Sequence, residues 1–363
     1  MKIAFYGSSI LSAYWNGAAT YYRGMLRALS EKGYDITFYE PDVYDRQKNR
    51  DIDPPEWCRV VVYDGTIDAL MRVTAEACHA NIVVKASGVG FEDNLLLERV
   101  LRHAAPDALR VFWDVDAPAT LAELRASPDH PLHTALQSVD LVLTYGGGEP
   151  VIQAYREMGA HDCVPIYNAL DPTTHHRVEP DPRFAGDLGF LGNRLPDREA
   201  RVSDFFLVPA VRMPSQRFLL GGSGWGDKAM PTNVAYLGHV GTADHNAFNV
   251  TPKAVLNISR SSMAETGFSP ATRVFEAAGA GACLITDHWE GISQFLSPDD
   301  EILVARDGLD VSAILAELTM DRSRQIGAAA MDRVLREHTY AHRAEEADRV
   351  FRSAARRQVE AAE

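Results

Sequence analysis

Short apolar runs alternate with helical patterns twice along this chain, and that alternation constrains the fold more than any other feature. Residues 2–6, 35–39, 59–63, 81–85, 109–113 and 141–145 read as short strands. Between them, residues 20–32 carry Tyr21, Met25, Leu26 and Leu29 at helical spacing and stop at Gly33, and residues 94–103 show a similar pattern. Alternation of this kind predicts a parallel sheet with helices on both faces. Such sheets bind ligands beyond the carboxyl ends of their strands. Residues 168–182 break the pattern, with Asp171-Pro172, Glu179-Pro180 and Asp181-Pro182 around His175-His176, and read as a linker. The pattern restarts at Leu188-Gly189-Phe190-Leu191-Gly192-Asn193 and continues through 218–220, 234–237, 254–258, 282–286 and 302–305. From about Asp321 the chain is helical and charged. The predicted fold is α/β, with two Rossmann-like domains over 1–175 and 183–339 whose parallel sheets face across a cleft.

Composition narrows the function classes. The length of 363 residues suits two domains that each bury a core. The net charge of −14 argues against a non-specific binder of nucleic acid or of anionic membranes. Cys58, Cys78, Cys163 and Cys283 stand far apart, without metal-ligand or redox-motif spacing, and read as reduced thiols. The opening Met-Lys-Ile-Ala-Phe-Tyr-Gly is too polar for a signal peptide, and no apolar run is long enough to cross a membrane. A cytoplasmic protein, monomeric or homodimeric, is expected.

The richest motif spans residues 263–287. It reads as a glycine-containing loop, a helix with a start signal and a buried strand. Ser269 is a suitable N-cap and Pro270 suits the first helical position. Free N–H groups near Thr272 and Arg273, together with the helix dipole, favour an anion such as a phosphate. Glu276 shares a helix face with Thr272 and Arg273, and lies about 5.4 Å, one turn, further on. A carboxylate there reaches the ribose of a nucleotide whose diphosphate sits at the helix start. Gly279 and Gly281 are read as ending the helix.

The stretch Arg273-Val274-Phe275-Glu276-Ala277-Ala278-Gly279, followed by a small-residue turn and an apolar strand, resembles the donor-site helix of GT-B glycosyltransferases. Within them it is similar to the CgeB-like, spore-maturation-type group. The resemblance implies a transferase that moves a sugar from a UDP-, GDP- or dTDP-sugar to a carbohydrate or other hydroxyl acceptor. It implies retention of configuration, no metal and no tightly bound cofactor. In that family the glutamate of this helix binds ribose, and the C-terminal helix, here 340–363, crosses back onto the first domain.

Further loops of the second half fit a donor site. Gly192-Asn193-Arg194 follows a strand, and Arg194 is expected to neutralise a diphosphate or to be an exposed turn residue. Gly222 lies in Gly221-Gly222-Ser223-Gly224, a glycine-rich nest that lacks the lysine of a P-loop. His239, in Leu237-Gly238-His239-Val240, resembles the position near the base or first phosphate, or is a plain turn histidine. The backbone of Gly267, Phe268 and Ser269 is expected to touch sugar or phosphate. Glu265 either contacts the donor sugar or caps the loop. The ten residues between it and Glu276 do not match the spacing of the family's glutamate pair.

The first half is expected to hold the acceptor. Gly17 precedes the first helix in a glycine-containing loop that in GT-B enzymes lies under the donor phosphate. Asp114 and Asp116, beyond the strand ending at Trp113, are the candidate catalytic carboxylates. Such a pair suits deprotonation of a hydroxyl or, less well, a divalent metal, and Asp116 alternatively caps a helix at Pro118. Gly146, in Tyr145-Gly146-Gly147-Gly148, is a further acceptor-side candidate. Arg273 completes the catalytic set by meeting charge on the leaving diphosphate. Two rival readings are a nucleotide-sugar epimerase of the same fold and a non-catalytic carbohydrate-binding relative. The chain has no Gly-x-Ser-x-Gly elbow, no His-Glu-x-x-His helix and no dinucleotide fingerprint after the first strand.

Overall fold

A computed structural model describes residues 1–362. The chain divides into two compact units. One comprises Met1–Tyr167 with Tyr340–Glu363, and the other Asn168–Thr339. The division thus falls at the start of the segment read as a linker.

The first unit holds a seven-stranded parallel sheet. In chain order its strands are β1 (Lys2–Tyr6), β2 (Asp35–Asp42), β3 (Arg59–Asp64), β4 (Ile82–Ala86), β5 (Leu109–Asp114), β6 (Leu141–Thr144) and β7 (Cys163–Pro165). Their spatial order is β3-β2-β1-β4-β5-β6-β7, so the winding reverses between β1 and β4. β4, β5 and β6 are buried almost throughout, as expected for a sheet covered on both faces. Tyr22, Phe5, Phe38 and Trp113 pack as an aromatic cluster beneath the helix Ala18–Glu31. The helix Tyr340–Ala362 lies along that same helix. A Cβ on Gly24 would fall 2.1 Å from the Tyr340 ring, so only glycine allows this approach. Tyr34 Oη donates to Asp348 at 2.7 Å, and Phe351 meets the Trp113 ring edge-on.

The second unit holds a six-stranded parallel sheet of β8 (Leu188–Leu191), β9 (Phe218–Gly221), β10 (Val234–Gly238), β11 (Ala254–Asn257), β12 (Leu284–Asp287) and β13 (Leu303–Ala305). The order is β10-β9-β8-β11-β12-β13, with the reversal between β8 and β11. Phe190, Phe206, Phe218, Leu256 and Ile285 centre its core.

Three local expectations are corrected. The helix read as starting at Ser269-Pro270 runs Thr272–Gly279, with Ala271 extended at its N-cap. Its following strand is Leu284–Asp287 rather than 282–286. Part of the expected loop before it is a short helix, Ser261–Thr266. β7 and several helices of the first unit, such as Gly148–Glu157, escaped the sequence reading because their apolar periodicity is short. Among the described residues no helix is long and apolar enough to cross a membrane, and no three His, Cys, Asp or Glu side chains group as metal ligands.

Candidate functional site

In a doubly wound sheet the loops on either side of the winding reversal part, leaving a crevice beyond the strand ends. In the second unit that crevice lies beyond β8 and β11. On the β8 side the chain passes Gly192-Asn193 and enters the helix Pro196–Val202. On the β11 side it passes the helix Ser261–Thr266 and the loop 267–271 before the helix Thr272–Gly279. The rim is bridged, since Arg260 Nε donates to Asp197 Oδ2 at 2.6 Å and Ser261 Oγ to the Asp197 carbonyl at 3.0 Å.

Glycine loops that are distant in sequence meet here. Gly222 has φ +118, and a Cβ on it would lie 2.3 Å from the Gly192 carbonyl oxygen. The Gly222 N–H donates to Gly238 O at 2.7 Å, and Ser223 N–H to Asn193 Oδ1 at 2.9 Å. His239 follows Gly238 and is exposed. The structure therefore stacks the Gly192, Gly222 and Gly238-His239 loops side by side over adjacent strands.

The charge at the crevice is arranged differently from the expectation. Arg194 was the expected diphosphate ligand. It instead donates through Nε and Nη2 to Glu199 at 2.8 and 2.9 Å and through Nη1 to Asp227 at 2.8 Å. Lys228 joins the same Glu199 at 2.8 Å. Two carboxylates saturate the Arg194 charge. Among the described residues Arg198, four residues on and passed over by sequence reasoning, has no carboxylate in ion-pair range. Its Nη2 donates to the Asn193 carbonyl at 2.7 Å, its Nε is buried without a partner, and the guanidinium lies over the Phe190 ring. Burial first, and the neighbouring Arg273 charge second, pull it down to about 10. Asp197 opposes the shift without forming an ion pair with it.

Arg273 is half-buried in the first turn of its helix. Among the described residues it has no hydrogen-bond acceptor and no carboxylate in ion-pair range, and burial holds its guanidinium below the ordinary value against the pull of Glu276. The N–H groups of Thr272 and Arg273 also have no acceptor among the described residues. Ser269, expected to cap this helix, is buried and its Oγ has no partner. Asn168 Nδ2 ties down the next carbonyl, Pro270 O, at 3.3 Å. Gly267 and Phe268 both have positive φ, +71 and +46, and the Phe268 N–H donates to Glu290 O at 2.6 Å. A non-glycine residue held in this region is strain that the surroundings impose, and such strain gathers at ligand sites. Glu276, one turn along from Thr272, has its Oε1 3.8 Å from His175 Nε2. Glu265 is exposed at the end of its short helix.

These features form one arrangement: two guanidinium groups without carboxylate partners, an open helix N-terminus, an unpartnered buried hydroxyl and a carboxylate one turn away. Two half-buried cations, of which the second lowers the pKa of the first and neither has a carboxylate in ion-pair range among the described residues, favour a multiply charged anion. The winding of both sheets, each with its reversal at the first strand, supplies the frame. The chain has a GT-B glycosyltransferase fold. Solved structures share it across essentially the whole chain. Sucrose-phosphate synthase from Thermosynechococcus elongatus superposes with a TM-score of 0.69 at 13% identity, covering 100% of both chains. Anabaena HepE, solved in complex with UDP and glucose, gives 0.66 at 12%, covering 97% of this chain and 100% of its own. The T4 phage BGT, solved with its UDP-glucose substrate, gives 0.62 at 11%, covering 98% and 99%. Residues 198–349 match the family model described as glycosyl transferase-like. That match begins at Arg198 and contains Arg273 and Glu276. No curated protein sequence matches the chain. At these identities the likeness is one of GT-B fold.

The acceptor-side candidates lie in the first unit. Asp114, one of the two candidate catalytic carboxylates, is completely buried. Its Oδ1 accepts from Ser87 Oγ at 2.7 Å, Asp116 N at 3.0 Å and Thr120 Oγ1 at 3.0 Å, and its Oδ2 from Tyr155 Oη. Burial raises its pKa against those hydrogen bonds. The geometry makes Asp114 a structural carboxylate that joins the ends of β4 and β5 to the helix Gly148–Glu157. Asp116 is half-buried at the N-cap of the helix Ala117–Ala126, with no side-chain cap bond. Gly17 is exposed, with ordinary negative φ and open space around its Cβ position, so nothing there requires glycine. Gly146 is buried and its carbonyl accepts from Thr144 Oγ1 at 3.0 Å, so it serves a turn. A polar pocket of about 240 Å³ opens nearby, lined by Lys85, Ser87, Asp93, Thr120, Glu123 and His130. Lys85 is buried and paired with Asp93 at 2.7 Å, while His130 Nε2 stands 3.6 Å from Glu123. Scattered over 46 residues, these side chains make no sequence motif.

Proposed function

We propose that the chain is a glycosyltransferase of the CgeB-like group that moves a sugar, with retention and without a metal, from a nucleoside-diphosphate sugar to a hydroxyl acceptor. One observation carries the reading: Arg198 and Arg273 share a half-buried crevice beyond the β8–β11 reversal with no carboxylate paired to either among the described residues. A diphosphate supplies the missing charge. As the glycosidic bond breaks, charge grows on the leaving oxygen and is met by the two guanidinium groups and the Thr272 and Arg273 N–H groups. Cationic side chains in that role replace the divalent ion that other transferases use. Glu276 accepts hydrogen bonds from the ribose, His239 lies beside the base or first phosphate, and the backbone of Gly192, Gly222, Gly267, Phe268 and Ser269 approaches phosphate and sugar. On the acceptor side, Asp116 is the carboxylate of its pair that reaches the surface, and it takes the hydroxyl proton or orients the acceptor.

The complexes of HepE with UDP and glucose and of T4 phage BGT with UDP-glucose, which share the fold, support a nucleoside-diphosphate ligand for this crevice. Titration calorimetry with UDP, GDP and dTDP tests it. One of the three should bind, and Arg198→Ala and Arg273→Ala should each weaken it roughly ten- to hundredfold, the cost of removing a charge-assisted contact. Unchanged affinity in both variants would remove the assignment.

A further inference from the structure

Glu276 does not stand alone beneath the ribose position. The segment after Asn168 turns back over the helix Thr272–Gly279. Leu170 pairs with Thr339, and a Cβ on Gly279 would fall 2.3 Å from the Leu170 side chain and 3.2 Å from the His175 carbonyl. An Asp171-initiated turn follows, in which Thr173 N and Oγ1 both donate to Asp171 Oδ1 and His175 N to Asp171 O. Asn246 Nδ2 pins the turn from the other side through the Thr174 carbonyl at 2.9 Å. The result is a buried imidazole, His175, fixed on three sides. Its Nδ1 lies 3.0 Å from Thr174 Oγ1, its ring centroid lies 6.3 Å from that of His245, and its Nε2 faces Glu276 Oε1 at 3.8 Å. No other side chain is in ion-pair range of that carboxylate among the described residues.

We propose that His175 is a positioning residue for Glu276, and through it a determinant of ribose recognition. This rests on the donor-site reading above. The Thr174 hydroxyl donates to the Asp171 carbonyl at 3.2 Å and therefore accepts from Nδ1, so a proton on Nε2 as well makes the imidazole a cation that attracts the carboxylate across 3.8 Å. A carboxylate held by one oxygen keeps the other oriented for the paired ribose hydroxyls. Glu276 leaves the helix beside Arg273, and the buried imidazole offsets the pull of that guanidinium, which would otherwise draw the carboxylate toward the diphosphate. The residue does not touch the ligand. It acts on how strongly the ribose hydroxyls are felt.

The test compares UDP with 2′,3′-dideoxy-UDP by calorimetry, and GDP with its dideoxy counterpart in parallel. The proteins are wild type, His175→Phe, His175→Gln and Glu276→Ala. Wild type should prefer the ribose form by about tenfold, the worth of one charge-assisted hydrogen bond. His175→Phe keeps a ring against His245 but has no N–H. It should lose most of that preference while binding the dideoxy form within about twofold of wild type. Glu276→Ala should behave the same way, and His175→Gln, which restores a donor, should recover part of the preference. A folded His175→Phe protein with the wild-type ratio would overturn the role of His175 while leaving the donor site standing. Should His175→Phe not fold, a His175→Gln protein that binds both forms equally would overturn it as well. A wild-type protein that binds neither nucleotide would overturn the donor reading and this proposal together, whereas one that binds both without regard to the ribose would overturn this proposal and leave the diphosphate site standing.

Discussion

Arg198 and Arg273 rise from the first turns of two helices on opposite banks of one crevice, and the charge of the second adds to burial in bringing the first down to about 10. Pro196 opens one helix and Pro270 lies two residues before the other, so both arginines follow a proline closely although they stand 75 positions apart. Like charges held this way cost stability when no anion is present. Replacing Arg273 with Met should therefore leave the melting temperature of the free protein unchanged or raised, while removing the stabilisation that added UDP, GDP or dTDP gives the wild type. Thermal unfolding with and without 1 mM nucleotide (about the scale where mass action is measurable) reads both. A variant that is destabilised when free and still stabilised by ligand would contradict the charge argument.

Arg194 makes the contrasting case. Its guanidinium is taken up by Glu199 and Asp227. Arg194→Ala should lower the melting temperature slightly and change nucleotide affinity by no more than about twofold, since surface ion pairs of this sort contribute little. A loss matching that of Arg198→Ala would return Arg194 to the diphosphate.

Gly222 packs against Gly192 through backbone alone. Gly222→Ala places a Cβ 2.3 Å from the Gly192 carbonyl oxygen at φ +118. The expected cost is about 2–4 kcal/mol, from a steric clash added to a backbone conformation that L-residues avoid. Gly17→Ala, with open space and negative φ, should cost nothing measurable. Urea unfolding of the pair separates a required glycine from a permitted one.

Asp114 has a pKa raised by burial. A carboxyl raised in the folded state contributes its full stability below the unfolded value near 4, and that contribution is lost as pH climbs toward the folded value. Asp114→Asn removes the titration. The stability of the variant relative to wild type should therefore improve as pH rises from about 4. Denaturation curves at pH 4, 5, 6 and 7, covering that window, measure the trend, and a flat or falling difference would contradict it. Asp114→Ala removes the acceptor of the Ser87 and Tyr155 hydroxyls and of the Asp116 N–H and should cost several kcal/mol.

What was legible in the sequence was local. The alternation of β-branched runs with helical spacing is written into neighbouring residues, and it led to two parallel sheets. The Arg273–Glu276 spacing on one helix face was legible for the same reason, because a helix converts separations of three and four into adjacency. Ser269 misled, because a good capping residue does not start a helix where Ala271, two residues on, stays extended. Arg194 and Asp114 misled for a different reason. Each has the right chemistry, but near partners, Glu199 for Arg194 and Thr120 for Asp114, together with distant ones 33 and 41 residues away, Asp227 and Tyr155, take up its hydrogen-bonding capacity. Arg198 and His175 were passed over because their significance lies in what is, or is not, placed opposite them. Charge compensation is a property of distances in space. The sequence by itself determined which segments become strands and helices and which residue types are on hand. Only the tertiary structure decided which cations stay unpaired, because a salt bridge between distant segments forms or fails according to where the sheet carries their loops.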